Sequence, residues 1–136
     1  MTTPLPFVDL KAQYARLKPR MDARMRAVLD HGQFILGPEV QELEAELVRF
    51  SGAAHAITVS SGTVALTISL MAEGIGPGDA VFVPAFTFAA TAGPVLAVGA
   101  TPVFCDVGAD TFNLDPADLE RAVADVLASG SLRPRA

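Results

Sequence analysis

The chain has 136 residues, of which 51% are hydrophobic, and its ten basic and fifteen acidic residues give a net charge of −5. This length fits one domain with a moderate core, the composition excludes a disordered chain, and the acidic balance argues against a broad nucleic-acid-binding face. One cysteine excludes an internal disulfide, and no apolar run approaches the ~20 residues of a membrane span. Residues 1–6 lack a signal-peptide pattern. We therefore expect a cytoplasmic protein.

Residues 1–55 are predicted to form a helical segment. Apolar side chains recur every three or four residues from Leu10 to Val28, which is one face of a helix. Pro19 interrupts this run, so we expect a break near Lys18 or a new helix that begins at the proline. The apolar face packs either in the core or against another subunit.

A short apolar loop between Gly32 and Gly37 leads to a second helix, in which Pro38 takes the first position and Gly52 the C-terminal stop. The glutamates of this helix lack a histidine or aspartate at ligand spacing, so the pattern indicates a solvated face and no metal site. His31 stands beside the loop, but one histidine without a partner is weak evidence for catalysis.

The pattern changes in residues 56–136. Continuous apolar stretches predict strands at 56–60, 80–84 and 101–106, and a helix at 63–73. Residues 87–98 lie between the second and third strands, and Gly93-Pro94 should end or kink a helix there. Strands that alternate with helices indicate an α/β fold, a parallel βαβαβ sheet with helices on both faces.

A last helix is predicted to begin at Asp115-Pro116, with the aspartate as its cap. No apolar strand follows Gly130, although a helix after a third strand should lead into a fourth. We therefore expect this α/β domain, residues 56–136, to continue beyond the chain end.

In open α/β sheets, ligands bind at the carboxyl ends of the strands. Three stretches are predicted to converge there: residues 60–63, residues 84–88 and Asp106. The Ser60-Ser61-Gly62-Thr63 turn offers hydroxyls and helix N-terminal N–H groups that suit a phosphate, although an ordinary helix cap explains the same residues. The turn is neither a P-loop nor a GxGxxG motif.

Phe86 and Phe88 offer aromatic rings beside that turn. One of them could lie flat against a planar ligand, although core packing explains two phenylalanines equally well. No Schiff-base lysine occurs in the βα region, and no catalytic residue is assigned within the chain.

Several motifs in order resemble the DegT/DnrJ/EryC1/StrS family of pyridoxal-phosphate (PLP) sugar aminotransferases of fold type I. The resemblance extends from about Pro6 to Val123. The motifs are Gly37-Pro38-Glu39-Val40, Val59-Ser60-Ser61-Gly62-Thr63-Val64-Ala65-Leu66, Gly76-Pro77-Gly78-Asp79, Pro84-Ala85-Phe86-Thr87-Phe88-Ala89-Ala90-Thr91 and Gly99-Ala100-Thr101-Pro102-Val103-Phe104-Cys105-Asp106.

The resemblance implies that residues 56–136 are the N-terminal part of the PLP-binding large domain. It also implies that Gly62, Thr63 and the N–H of Val64 hold the cofactor phosphate, with Ser61 nearby. Phe88 would stack on the pyridine ring.

The resemblance further implies a homodimer with active sites at the subunit interface, one of them close to residues 33–37. The substrate would be a nucleotide-linked keto sugar, with glutamate as amino donor. The family's Schiff-base lysine and the aspartate partner of the pyridine nitrogen come later than position 136, so the chain alone is expected to be inactive. Two alternatives stay open: a dehydratase of the same family, in which histidine replaces the lysine, and a non-catalytic phosphate-binding or dimerisation module.

Overall fold

The computed structural model describes residues 7–136, so the prediction made for the N-terminal signal at residues 1–6 lies outside this range. The chain divides into two compact units with the boundary between Thr58 and Val59. Among the described residues, no helix has both the length and the apolar character needed to cross a membrane.

The N-terminal unit contains α1 (Leu10–His31) and α2 (Pro38–Ser51). The side chain of Asp9 caps α1 by accepting the Ala12 N–H at 2.9 Å, and Gly32 ends the helix in the left-handed conformation. Pro38 and Gly52 bound α2 as the sequence predicts.

The predicted break at Pro19 is wrong, because α1 runs through this residue without interruption. Proline removes only one backbone donor, and its fixed φ near −65° is itself helical. The remaining hydrogen bonds of a 22-residue helix hold the two sides together.

Neither helix of this unit contains a buried residue, so the described part of the unit has no apolar core of its own. A pair of hydrogen bonds joins the two helices: the Arg24 guanidinium donates to the Glu42 carboxylate, with Nη1 2.7 Å from Oε2.

The C-terminal unit is built on a three-stranded parallel sheet in the order β2-β1-β3. Its strands are β1 (Asp79–Pro84), β2 (Thr101–Cys105) and β3 (Arg133–Pro134). Its helices are α3 (Gly62–Ala72), α4 (Gly93–Ala97) and α5 (Pro116–Ser129), together with a 3-10 turn at Ala89–Thr91.

One predicted strand is absent, and one strand was not predicted. Residues 56–60 pair with no described strand, and Thr58 instead donates its N–H and its hydroxyl to Glu44 Oε1, both at 2.8 Å. The second neighbour of β1, opposite β2, is β3, which the apolar pattern misses because Arg133-Pro134 is short and polar. Proline fits there since β3 is an edge strand.

Two further predictions for this unit are confirmed by the structure. Residues 87–98 are broken as expected, and Pro94 lies in the first turn of α4. Asp115 caps α5 by accepting the Ala117 N–H at 2.9 Å, and Pro116 is its first residue.

One face of the sheet carries the core. Val81 and Val83 of β1 pack with Val95 of α4 and with Leu70 of α3, while α5 packs on β2 and β3. Ile75 and Ala100 complete the buried cluster. This packing fixes where the carboxyl ends of β1 and β2 lie.

Candidate functional site

The turn before α3 is a helix cap in which some backbone N–H groups have no partner among the described residues. Ser61 is the N-cap, and its Oγ accepts the Val64 N–H at 3.2 Å. The N–H groups of Gly62 and Thr63 donate to no described residue. The helix-cap interpretation is therefore correct for Val64, while two N–H groups at the positive end of the helix stay available to an anion.

The space above this turn is open. A Cβ built on Gly62 would meet no atom within 4 Å, and Ser61 and Thr63 are both exposed. The turn therefore offers two N–H groups and two exposed hydroxyls to a phosphate. These residues fit the phosphate of PLP, and a phosphate would share the Val64 N–H with Ser61 or displace its hydroxyl.

Both phenylalanine rings of the loop after β1 are mostly exposed, Phe86 at 69%, and Phe86 also contacts a second aromatic ring. Phe86 lies 5.7 Å from Phe112 between ring centroids, at an interplanar angle of 42°. Phe88 is 79% exposed. Core packing therefore does not explain Phe88 within the described residues, and its ring is accessible to a planar ligand.

The backbone around Phe88 is fixed. The Thr91 N–H donates to the Phe88 carbonyl at 2.9 Å, and the hydroxyls of Thr87 and Thr91 lie 2.9 Å apart. The 3-10 turn that begins after Phe88 contacts α3. The element that carries the ring therefore packs against the element that carries the turn.

Asp106 follows β2 at the same edge of the sheet, where the Ala85 N–H donates to the Cys105 carbonyl at 2.7 Å. Its carboxylate accepts the Val107 N–H at 2.8 Å, and its own N–H donates to Asp118 at 2.5 Å. Asp106 thus shapes the turn into the next segment. Only two of the three stretches expected to converge follow a true strand, since residues 56–60 form none.

Two carboxylates of the N-terminal unit have partners that the sequence does not predict. Glu39 Oε1 lies 3.0 Å from His31 Nε2, and this hydrogen bond lowers the pKa of Glu39. The N–H and hydroxyl of Thr58 lower the pKa of Glu44. For His31 and Glu39 the available signal was the pair of glycines at 32 and 37. A tight loop between them places the start of the second helix beside the end of the first.

The chain is similar to known proteins in both sequence and fold. Residues 16–127 match the DegT/DnrJ/EryC1/StrS aminotransferase family. A UDP-2-acetamido-2-deoxy-3-oxo-D-glucuronate aminotransferase of Pseudomonas aeruginosa is 52% identical over 119 residues, which are 88% of this chain and 33% of that protein.

Solved structures agree in fold. A DegT DnrJ EryC1 StrS aminotransferase from Brucella abortus superposes with a TM-score of 0.93 at 48% identity, over 97% of this chain and 35% of that one. The PLP form of a sugar aminotransferase from Streptococcus pneumoniae gives a TM-score of 0.62 at 41% identity, over 64% and 22%. The chain has the fold of part of a fold type I aminotransferase, and it spans about a third of the length of the curated relatives it matches.

Proposed function

Because this chain belongs to the DegT/DnrJ/EryC1/StrS aminotransferase family, we propose that the complete protein transfers an amino group, with glutamate as donor, to a keto carbon of a nucleotide-linked sugar. The observation that carries this proposal is the family match over residues 16–127, together with a nucleotide-sugar aminotransferase as a relative. The product would be an amino sugar for polysaccharide or antibiotic biosynthesis.

The cofactor of the proposed reaction is PLP, on which the aminotransferases of this family depend. Ser61, Gly62, Thr63 and Val64 would hold its phosphate, since two N–H groups and two hydroxyls are available there. Phe88 would support its ring. Bound PLP supplies an electron sink for the bonds at the reacting carbon.

The residues of this chain bind and orient, and none is assigned a proton-transfer step. The phosphate turn would hold one end of the cofactor, and the aromatic face of Phe88 would support its ring. The covalent anchor of the cofactor is expected from a lysine after position 136.

The assembly proposed for the complete protein is a cytoplasmic homodimer. Residues 1–55 would be a helical segment, residues 56–136 part of the PLP-binding domain, and residues 33–37 would border an active site at the subunit interface. The exposed apolar side chains of α1 support an assembly that covers them; they include Leu10, Tyr14, Met21, Met25 and Leu29.

The test uses the complete protein. PLP is added, the visible spectrum is recorded, and amino transfer from glutamate to a nucleotide-linked keto sugar is measured. We expect a band from bound cofactor and a 1:1 yield of amino sugar and 2-oxoglutarate. The absence of both the cofactor band and amino transfer would contradict the proposal. A histidine at the downstream lysine position would favour the dehydratase.

A further inference from the structure

The loop from Gln33 to Gly37 presents three large apolar side chains on a backbone that is held at both ends. Phe34, Ile35 and Leu36 are 68%, 88% and 72% exposed. Apolar residues this exposed lack packing that would fix them. The shape of the loop must therefore come from its backbone contacts.

His31 holds the entry to the loop. Its Nδ1 accepts the Gln33 N–H at 3.0 Å, and its Nε2 lies 3.0 Å from Glu39 Oε1 in the first turn of α2. Because Nδ1 accepts, the imidazole proton lies on Nε2 and is donated to the carboxylate. One ring thus joins the loop to both helices that flank it.

Gly37 closes the exit of the loop. A Cβ at this position would lie 2.3 Å from the Gln33 carbonyl oxygen, so this oxygen rests directly against the glycine. Leu36 adopts a positive φ of 48°, which a non-glycine residue takes only where its surroundings impose it. The two peptide groups of Gln33 are therefore fixed, one by His31 and one by Gly37.

We propose that His31 and Glu39 form a positioning pair that keeps this apolar loop in one shape, so that the active site it borders is formed before the nucleotide-linked sugar binds. This inference rests on the proposed function, which places the loop at the active site. The pair belongs to a different part of the sequence from the phosphate turn and Phe88, so we expect its loss to affect sugar binding and not cofactor retention. A preorganised loop lowers the entropic cost of ordering that substrate binding must otherwise offset.

The chain offers a matched control. Arg24 and Glu42 also join α1 to α2, and neither belongs to the loop. If His31 only links the helices, Arg24→Gln should have the same effect as a His31 variant. If His31 shapes the loop, Arg24→Gln should leave sugar binding unchanged.

The experiment compares His31→Ala, His31→Asn and Arg24→Gln in the complete protein. Alanine loses both hydrogen bonds, whereas an asparagine side chain can still accept the N–H of the residue two positions on. We expect His31→Ala to raise KM for the sugar and the exchange rate of the Gln33 amide by about tenfold, the value of one hydrogen bond. His31→Asn should restore most of the Gln33 protection and part of the KM, with kcat and PLP retention unchanged throughout.

A separate readout keeps this inference distinct from the proposed function. Nitrogen-15 NMR of the His31 ring should show the proton on Nε2, whether or not the protein transfers amino groups. A proton on Nδ1, equal Gln33 exchange in wild type and His31→Ala, or an equal rise of KM in Arg24→Gln would overturn the positioning role. An inactive wild type with the expected tautomer and exchange would overturn the proposed function and, with it, the catalytic part of the inference.

Discussion

The two units of the molecule are held together in different ways. The C-terminal unit buries Val81, Val83 and Val95 between its sheet and two helices. In the described part of the N-terminal unit, neither helix buries a residue, and its contacts are hydrogen bonds and ion pairs at the surface. One unit thus carries its own hydrophobic core, whereas the described part of the other leaves large apolar side chains exposed.

The largest expected difference is in core stability. Val95→Ala should lower the free energy of unfolding of the 136-residue chain by about 2 kcal/mol, because Val95 is 1% exposed and its loss leaves a cavity. Leu43→Ala in α2 should change it by less than about 0.5 kcal/mol, since Leu43 is 49% exposed. Urea unfolding followed by circular dichroism measures both, and equal losses would contradict the comparison.

A glycine pair tests the backbone of each unit. Gly37→Ala should destabilise the N-terminal unit by about 1–3 kcal/mol, because its Cβ would overlap the Gln33 carbonyl. Gly62→Ala has open space and should leave stability unchanged while it weakens PLP binding in the complete protein. Thermal unfolding and cofactor titration separate the two, and a stable Gly37→Ala variant would refute the closed loop.

The aromatic loop allows a test within the C-terminal unit. Phe88→Ala should weaken PLP retention by about tenfold, the value of one ring contact of about 1–1.5 kcal/mol. Phe86→Ala should have less effect, because the Phe86 ring already contacts Phe112. Dialysis of the holoenzyme with absorbance readings measures retention, and equal losses would reject the assignment of Phe88.

The smallest expected effect is the acid response of the N-terminal unit. Thr58 lowers the pKa of Glu44, so the carboxylate stabilises the fold above the ordinary glutamate pKa of 4.5, and this contribution disappears as pH falls through the lowered value. Exchange of the Thr58 amide should therefore show extra opening below pH 4.5 in the wild type and not in Glu44→Gln. Glu120→Gln, on α5, is the control and should behave as the wild type.

Local signals in the sequence located most of the elements. Asp115-Pro116 predicts the start of α5 and Gly52 predicts the end of α2, because a cap depends on neighbouring residues alone. Residues 56–60 were wrongly predicted as a strand because a strand also needs a partner, and Glu44 takes that place at Thr58. The apolar pattern could not reveal which distant segment pairs with β1.

The candidate site was predictable to a similar degree. Ser61 is the cap that the turn residues indicate, and Phe88 carries an exposed ring. The contact of His31 with Glu39 was not predictable, since eight residues separate them and only the closed loop brings them together. Whether Ser61, Gly62, Thr63, Val64 and Phe88 bind PLP stays a prediction.

The central position of β1 has a consequence for synthesis of the protein. Its neighbours are β2, about twenty residues later, and β3, about fifty residues later. The apolar stretch Ala80–Val83 therefore leaves the ribosome with both edges unpaired, and one edge stays open until residue 133 has been made. An apolar strand with an open edge associates readily with other chains, so nascent chains that pause before residue 133 are the ones most exposed to aggregation.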